Sequence, residues 1–554
     1  MVGLLLKTWM IGLATLVWSS ACHGEATTGK EFIAMFLQMN VIEKDPTFIV
    51  STTELSTVVT ITIPKLDYTQ VYNVPQSSKL EVSVPKSIVP TSDGVDKLGI
   101  FINSSNPITL WGVHDASDRS VDGFLVLPTD VLGREYFGVS FEPHSGAELG
   151  VVAVEDSTSI LINFNQRYFY KTQFIYPRIP LRITLNRFET LFITSYDDLT
   201  GIRVTASAPV AAFSGNQCTF IPVTSNHCDY TVTQLIPFSR WGMNYIVTSF
   251  LGHTDYIIKI VAGRMGTTVN IGEGKHRYEL NQLQSVTLNL HSSEVITASH
   301  PIMVAQFTYA QALVDGTSHA AMTVIPSVRQ YTNSAVIATM VDDQLTQHFF
   351  SLVSACYNFQ NQYILLNGMP IDFNTTNIYL SDAEYCTSKM VLNSNYNTIT
   401  TSAPDALFYA VINERSEFFS TARVANFQLP QATCVTTNEY DVNVTHECDE
   451  EVVIFTYSCP EPCPVDDEEE LICGTCFDGY AIFLVILLSS GLTICVDQFI
   501  KCCRAGGQEE WEVEDWKRRA AMMQKAFDTG AWDRQLEIIR KNERKKLEIE
   551  FGDA

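Results

Sequence analysis

Basic residues are scarce in this chain: 36 Lys and Arg stand against 61 Asp and Glu, a net charge of −25 over 554 residues. Phosphate contacts need clustered cations, so this balance excludes a nucleic-acid binder and argues against adhesion to anionic lipid. Catalytic signatures are missing too. There is no Gly-x-Ser-x-Gly elbow, no His-Glu-x-x-His pair, no phosphate loop and no dinucleotide fingerprint. The histidines (His114, His144, His227, His253) are scattered, and Asp197-Asp198 reads as a solvated acidic turn in preference to a calcium site. No catalytic residue, cofactor or metal ion is expected, and the chain does not read as an enzyme. Helical periodicity is absent from residues 31 to 430.

What fills that region is Val, Ile, Thr, Phe and Tyr in short alternating runs, such as Val58-Val59-Thr60-Ile61-Thr62-Ile63 and Ile257-Ile258-Lys259-Ile260-Val261. Period-two patterning between Gly, Pro, Asn and Asp turns predicts strands nearly throughout. A repeat runs through them. Asn106-Pro107-Ile108, Ala208-Pro209-Val210 and His300-Pro301-Ile302 align, with a fainter copy at Ala403-Pro404. Leu127-Pro128, Ile236-Pro237 and Ile325-Pro326 follow at similar distances, the first two leading into Gly133-Arg134-Glu135-Tyr136 and Gly242-Met243-Asn244-Tyr245. The expected fold is all-β: a tandem array of about four β-sandwich-like repeats of roughly a hundred residues each, with propeller-like closure as the alternative. Each repeated proline is expected at an edge or first strand position, where no ladder donor is lost. The insertion from Cys218 to Tyr230 shows no counterpart in the other repeats.

The ends point to a membrane topology. Lys7, the mostly apolar Met10–Trp18 and small residues before Gly24 read as a signal peptide over residues 1–24. Gly479 to Val496 carries no charge and as a helix would nearly cross a bilayer, predicting a transmembrane helix over 479–500. Asp466 to Glu470 precede it and Lys501 and Arg504 follow, so the positive-inside rule places residues 25–478 outside and the tail, 501–554, in the cytoplasm. The expectation is a single-pass type I plasma-membrane protein. Its tail reads as two amphipathic helices divided at Gly530, open to a cytoplasmic adaptor, and holds no tyrosine or serine.

In an oxidising compartment the cysteines read as disulfides. Cys218 and Cys228 pair most naturally, closing a short loop worth ~2–3 kcal/mol; Cys356 and Cys386 come next. Cys434, Cys448, Cys459, Cys463, Cys473 and Cys476 form a cysteine-rich acidic stalk over 431–478, read as disulfide-stapled in preference to zinc-bound. Cys502 and Cys503 are palmitoylation candidates, with free thiols the alternative. Asn103, Asn374 and Asn443 open N-glycosylation sequons, expected on surface loops.

Several stretches in one order resemble the IgGFc-binding protein N-terminal domain family. They are Gly29-Lys30-Glu31-Phe32-Ile33-Ala34, Leu127-Pro128 to Tyr136, Gly150 to Asp156 and Asp198-Leu199-Thr200-Gly201. The best defined runs from Pro209 through Cys218, Cys228-Asp229, Gln234-Leu235 and Pro237 to Trp241-Gly242. The resemblance covers roughly residues 29–420. It implies extracellular recognition or adhesion, with an immunoglobulin-like, mucin or other glycoprotein ligand. The runner-up role is structural anchoring of a mucus, glycocalyx or matrix layer. The chain departs from the family's secreted mucus proteins by lacking cysteine-dense von Willebrand D modules and by adding a membrane helix.

Overall fold

The computed structural model describes residues 27–430, apart from short stretches such as 41–43, 116–119, 340–345, 393–395 and 416–419, together with the strands Thr433–Thr436 and Val444–Glu447. The signal peptide, Asn443, Cys448, Cys459, Cys463, Cys473, Cys476, the transmembrane span, Cys502, Cys503 and the tail lie outside the described residues. Among those described, no helix is long and apolar enough to cross a membrane.

The described region is all-β, its helical content one short helix, Cys356–Gln360, and a few 3-10 turns. Alternation does the local work. In Thr57–Ile63, Thr57, Val59, Ile61 and Ile63 are buried while Val58 faces solvent, the period of a strand covered on one side. Tyr256–Ala262 is buried throughout because it is covered on both. Its Ile258 and Ile260 join one hydrophobic core, while Ile257 and Val261 join another.

Four units follow one another, over residues 29–125, 133–234, 242–324 and 334–424, with one strand plan. Each of the first three is threaded by a long strand, Ile100–Asp115, Arg203–Thr219 or Glu294–Thr308. In the second unit, the first half of the long strand lies between Gly133–Phe137 and Thr158–Asn163. Its second half lies between Ala147–Ala153 and Asp229–Gln234. The same exchange of partners occurs in the first unit and in the third.

Pro107, Pro209 and Pro301 stand at the exchange. They sit mid-strand, which corrects the expectation of an edge or first position. The reason is the same loss of a donor: one ladder has ended there and the next has not begun. The residue after each proline faces a bulged glycine, in the pairs Ile108 with Gly29, Val210 with Gly133 and Ile302 with Gly242. A Cβ on Gly242 would stand 2.3 Å from the Ser327 hydroxyl, so the close approach requires glycine. Tyr136 locks the corner by donating to the Val210 carbonyl at 2.7 Å and accepting from the Gly133 N–H at 2.8 Å. Tyr245 does the same with Ile302 and Gly242. In the fourth unit the long strand is broken into Tyr396–Thr401 and Phe408–Arg415, with Pro404 in the break.

The units close into a ring. Their innermost strands, Val121–Leu125, Asp229–Gln234, Met322–Val324 and Ser420–Val424, each touch the next, and the last touches the first. The seam between the fourth and first units is hydrogen-bonded at several points. Asn426 donates its amide to the Thr109 hydroxyl at 2.7 Å, and the Trp111 indole donates to the Val424 carbonyl at 3.3 Å. Main-chain Thr27 N–H donates to the Phe427 carbonyl at 3.0 Å. The all-β expectation therefore holds, with four consecutive units whose innermost strands meet in a closed circuit.

At the centre lies Asp122, fully buried. One of its carboxylate oxygens accepts the Val232 and Met322 N–H groups, each at 3.1 Å, and the other accepts Gly123 N–H at 2.9 Å. The Ala422 N–H also bonds it, so one carboxylate draws a donor from every inner strand. Burial pushes the Asp122 carboxyl well above the usual carboxylate range, against the pull of those N–H groups.

Candidate functional site

Three segments of the second and third units break the common plan, and such departures are where functional surfaces concentrate. The first is the loop from Cys218 to Cys228, which carries a cis Ile221-Pro222 bond. The two cysteines are joined, with Cα atoms 5.2 Å apart. The Ile221 carbonyl accepts the Ala310 N–H at 2.6 Å, and the Cys218 carbonyl accepts the His144 and Ser145 N–H groups at 3.0 Å. The His227 ring meets the His319 ring edge-on at 4.8 Å. Buried Asp229 takes His319 Nδ1 at 2.7 Å and the Ala320 N–H at 2.8 Å. Most of these bonds cross from the second unit to the third, so the loop is a strap between units.

It is also not unique. The third unit carries its own hairpin, Gln311–Leu313 with Gly316–Ser318, at the same place between long strand and inner strand. The short sequence between Thr308 and Met322 has no cysteine or proline to mark it.

The third departure is residues 164–180, which stand where the first and third units have only the short turns 64–67 and 272–275. Within them Tyr168–Tyr170 and Gln173–Ile175 pair as a small hairpin. Tyr168 stacks on Phe164 with ring centroids 4.4 Å apart and donates its hydroxyl to the Asp93 carboxylate at 2.7 Å and the Thr194 carbonyl at 2.8 Å. Burial raises the Asp93 carboxyl, with the Tyr168 hydroxyl opposing.

The base of this hairpin walls a groove of about 900 Å³ between the second and third units. Asn163, Phe164, Asn165, Pro177 and Arg203 line one side, and the turn from Glu279 to Ser285 lines the other. Asn165 donates to the Thr200 carbonyl at 2.8 Å and Gln282 to the Gly263 carbonyl at 3.0 Å, which fixes both amides. Arg203 is paired with Glu135 at 2.6 Å, and Glu279 with Arg277 at 3.1 Å. The groove is thus rich in planar amides, with its charges neutralised in pairs.

At the same junction Lys259 reaches from the third unit to Asp198, the Ser140 carbonyl at 2.7 Å and the Thr200 hydroxyl at 3.1 Å. Burial works to raise the Asp198 carboxyl, but the Lys259 ammonium and the Thr200 and Ser140 hydroxyls outweigh it and hold it below the usual range. The expected solvated acidic turn is corrected for this residue: a lysine occupies the place a cation would take. Asp197 is exposed. Among the described residues no group of three or more His, Cys, Asp or Glu side chains is placed to hold a metal ion.

The remaining sequence-marked residues are dispersed. Cys356 and Cys386 are joined in the fourth unit with Cα atoms 4.7 Å apart. Cys434 lies on the strand Thr433–Thr436, opposite His446. Asn374 is exposed before a strand. Asn103 is not on a loop as expected but inside the first long strand, between Glu31 and Thr60 of its neighbours, with its amide directed to the Glu31 carboxylate at 3.3 Å. Its Asn-Ser-Ser triplet precedes Pro107, and the strand continues straight through. The groove had no marker in sequence because its two walls lie a hundred residues apart.

Comparison with known proteins adds three findings. A family model described as IgGFc binding protein matches residues 122–412. Over 285 residues the chain is 26% identical to the human "IgGFc-binding protein", a stretch that is 49% of this chain and 5% of that protein. Among solved structures, trypsin-activated alpha-2-macroglobulin from Escherichia coli is aligned over 74% of this chain and 42% of its own, at 6% identity and a TM-score of 0.12, which supports no fold argument.

Proposed function

Because this chain belongs to the IgGFc-binding protein family, we propose that it is an extracellular binding protein that recognises a protein or glycan partner and carries out no reaction. The observation that carries this reading is the matched stretch itself. From residue 122 to 412 it takes in Asp122, the whole second and third units and most of the fourth. The ring supplies a rigid scaffold from which the segments that break the plan project, an arrangement common to binding proteins.

Immunoglobulin Fc, after which the human relative is named, and mucin-type glycoproteins are the ligand classes we assign first. The chain spans only a twentieth of that relative's length, so the partner is proposed for this chain on its own account. We further infer, from the apolar run at 479–496 and its flanking charges, a type I plasma-membrane topology with a cytoplasmic tail free to meet an adaptor.

Full-length protein displayed on cells and titrated with immunoglobulin Fc and with purified mucin tests the binding role. Saturable binding of either supports it. No saturable ligand, together with retention in an insoluble extracellular layer, would replace it with structural anchoring. Trypsin shaving of the same cells is expected to remove the β region and leave the tail intact.

A further inference from the structure

The hairpin within residues 164–180 has one face that packs and one that does not. Tyr168, Tyr170 and Ile175 are buried, whereas Phe169 is 53% exposed, Phe174 49% and Tyr176 50%. The exposed rings are contiguous, with centroids 5.0 Å apart for Phe169 and Phe174 and 6.5 Å for Phe174 and Tyr176. Leaving three aromatic rings side by side in water is costly, and a clustered patch of this kind marks an interaction surface.

Its charge is the reverse of the protein's. Arg167, Lys171 and Arg178 fall within residues 164–180, which contain no Asp or Glu, in a chain of net charge −25. The Arg167 guanidinium lies over the exposed Phe174 ring at 4.7 Å, so cation and aromatic are presented together there, while Lys171 lies by the buried Tyr170 ring at 5.5 Å and within electrostatic reach of Asp93. Both ends of the segment, at Asn165 and Pro177, line the amide-rich groove.

We propose that the exposed hairpin face and the groove at its base form a binding site for an anionic oligosaccharide. Aromatic rings accept the apolar faces of sugar rings, side-chain amides match vicinal hydroxyls, and the cations of the hairpin meet a carboxylate or sulfate substituent. This rests on the binding role proposed above and assigns it a surface and a ligand chemistry. The Cys218–Cys228 strap does not take part.

The test uses the full-length chain, immobilised, with polymer-borne 3′-sialyllactose, 6-sulfo-N-acetyllactosamine and neutral lactose as probes, and polyglutamate as a peptide control. Saturable binding of the sialylated or the sulfated probe, with lactose at least tenfold weaker, is expected. Which of the two binds identifies the anion. Phe169→Ala with Phe174→Ala, and separately Arg167→Glu, should each weaken that binding at least tenfold with the thermal transition unchanged. Tyr379→Ala, an exposed aromatic of the fourth unit, should leave it unaltered. Equal binding of lactose, indifference to the hairpin variants, or binding of polyglutamate but neither acidic glycan would overturn the proposal. Mucin or Fc capture that survives both hairpin variants would remove this site and leave the binding role standing; no capture by the unaltered chain would remove both.

Discussion

At the centre of the ring Asp122 is met by main-chain N–H groups from all four inner strands, whereas at the junction of the second and third units Asp198 is met by side chains, Lys259 above all. Both carboxylates tie units together. Burial wins at Asp122 and lifts its carboxyl; the ammonium wins at Asp198 and lowers it. The difference teaches how such a ring divides its labour. Backbone donors cannot rearrange without unfolding a strand, so the centre is rigid. A lysine side chain can leave its partner without breaking a ladder hydrogen bond, and this one stands at the junction that also holds the groove.

The strongest way to break the comparison is Asp122→Ala. It orphans the N–H groups of Gly123, Val232, Met322 and Ala422 inside the ring, and at about 1–3 kcal/mol for each unsatisfied donor the loss is about 4–12 kcal/mol, offset in part by release of the cost of burying the carboxyl. Urea unfolding should show this as a lowered midpoint, and the yield of folded protein should fall with it. An effect under about 1 kcal/mol would mean that the inner strands do not depend on this residue.

His114 sharpens the account of the centre. It is fully buried among Phe36 and Tyr230, with ring centroids 5.9 Å and 5.6 Å away, and burial pushes its pKa down to about 4, with the Leu37 backbone, as an acceptor, opposing. Its folded value lies below the unfolded one, so the folded state binds fewer protons as acid is added. Stability is complete above the unfolded pKa of histidine and is lost as pH falls toward 4. Between pH 7 and pH 5 the loss from this group is about 2 kcal/mol. Denaturation at the two pH values should show the parent protein losing more stability than His114→Phe by that amount, since the raised carboxyls such as Asp122 act alike in both.

How much of this was legible in the sequence follows from what kind of bond each feature uses. The units were legible because Pro107, Pro209 and Pro301 each remove a donor at the one point where a strand changes partners. The Gly133–Tyr136 and Gly242–Tyr245 matches were visible as part of the repeat, but their purpose was not: each tyrosine hydroxyl bridges its glycine N–H and the long strand. Ring closure was not decided, because contacts such as Thr109 with Asn426 leave no local periodicity. The role of Asp122 was invisible, as any residue supplies an N–H. The Cys218–Cys228 strap drew attention through its cysteines, while the hairpin at 164–180 went unread, although its aromatics and cations stand in the sequence without an acidic residue among them.

Smaller effects probe the rim and the seam. Lys259→Met leaves Asp198 without its cation; because 34% of the Asp198 side chain meets solvent, water screens part of the loss, which should be about 1–2 kcal/mol at neutral pH. The Asp198 carboxyl is lowered in the folded state, so its contribution is present above the unfolded carboxylate range and is lost as pH falls through the folded value; Lys259→Met should flatten that acid limb of the stability profile. Asn426→Ala removes the hydrogen bond to Thr109 at the seam between fourth and first units and also leaves the buried Val336 N–H without its acceptor, and should cost about 2–3 kcal/mol. Hydrogen exchange at Val424 and Phe427 should quicken in that variant before it does in the second unit.

Small-angle scattering from residues 25–430, freed of glycans, addresses closure itself. A ring in which the fourth unit returns to the first gives the radius of gyration of one compact chain of that length, about 22 Å, and a symmetric distance distribution. A markedly larger radius with a long tail to high distances, the pattern of units strung end to end, would contradict it.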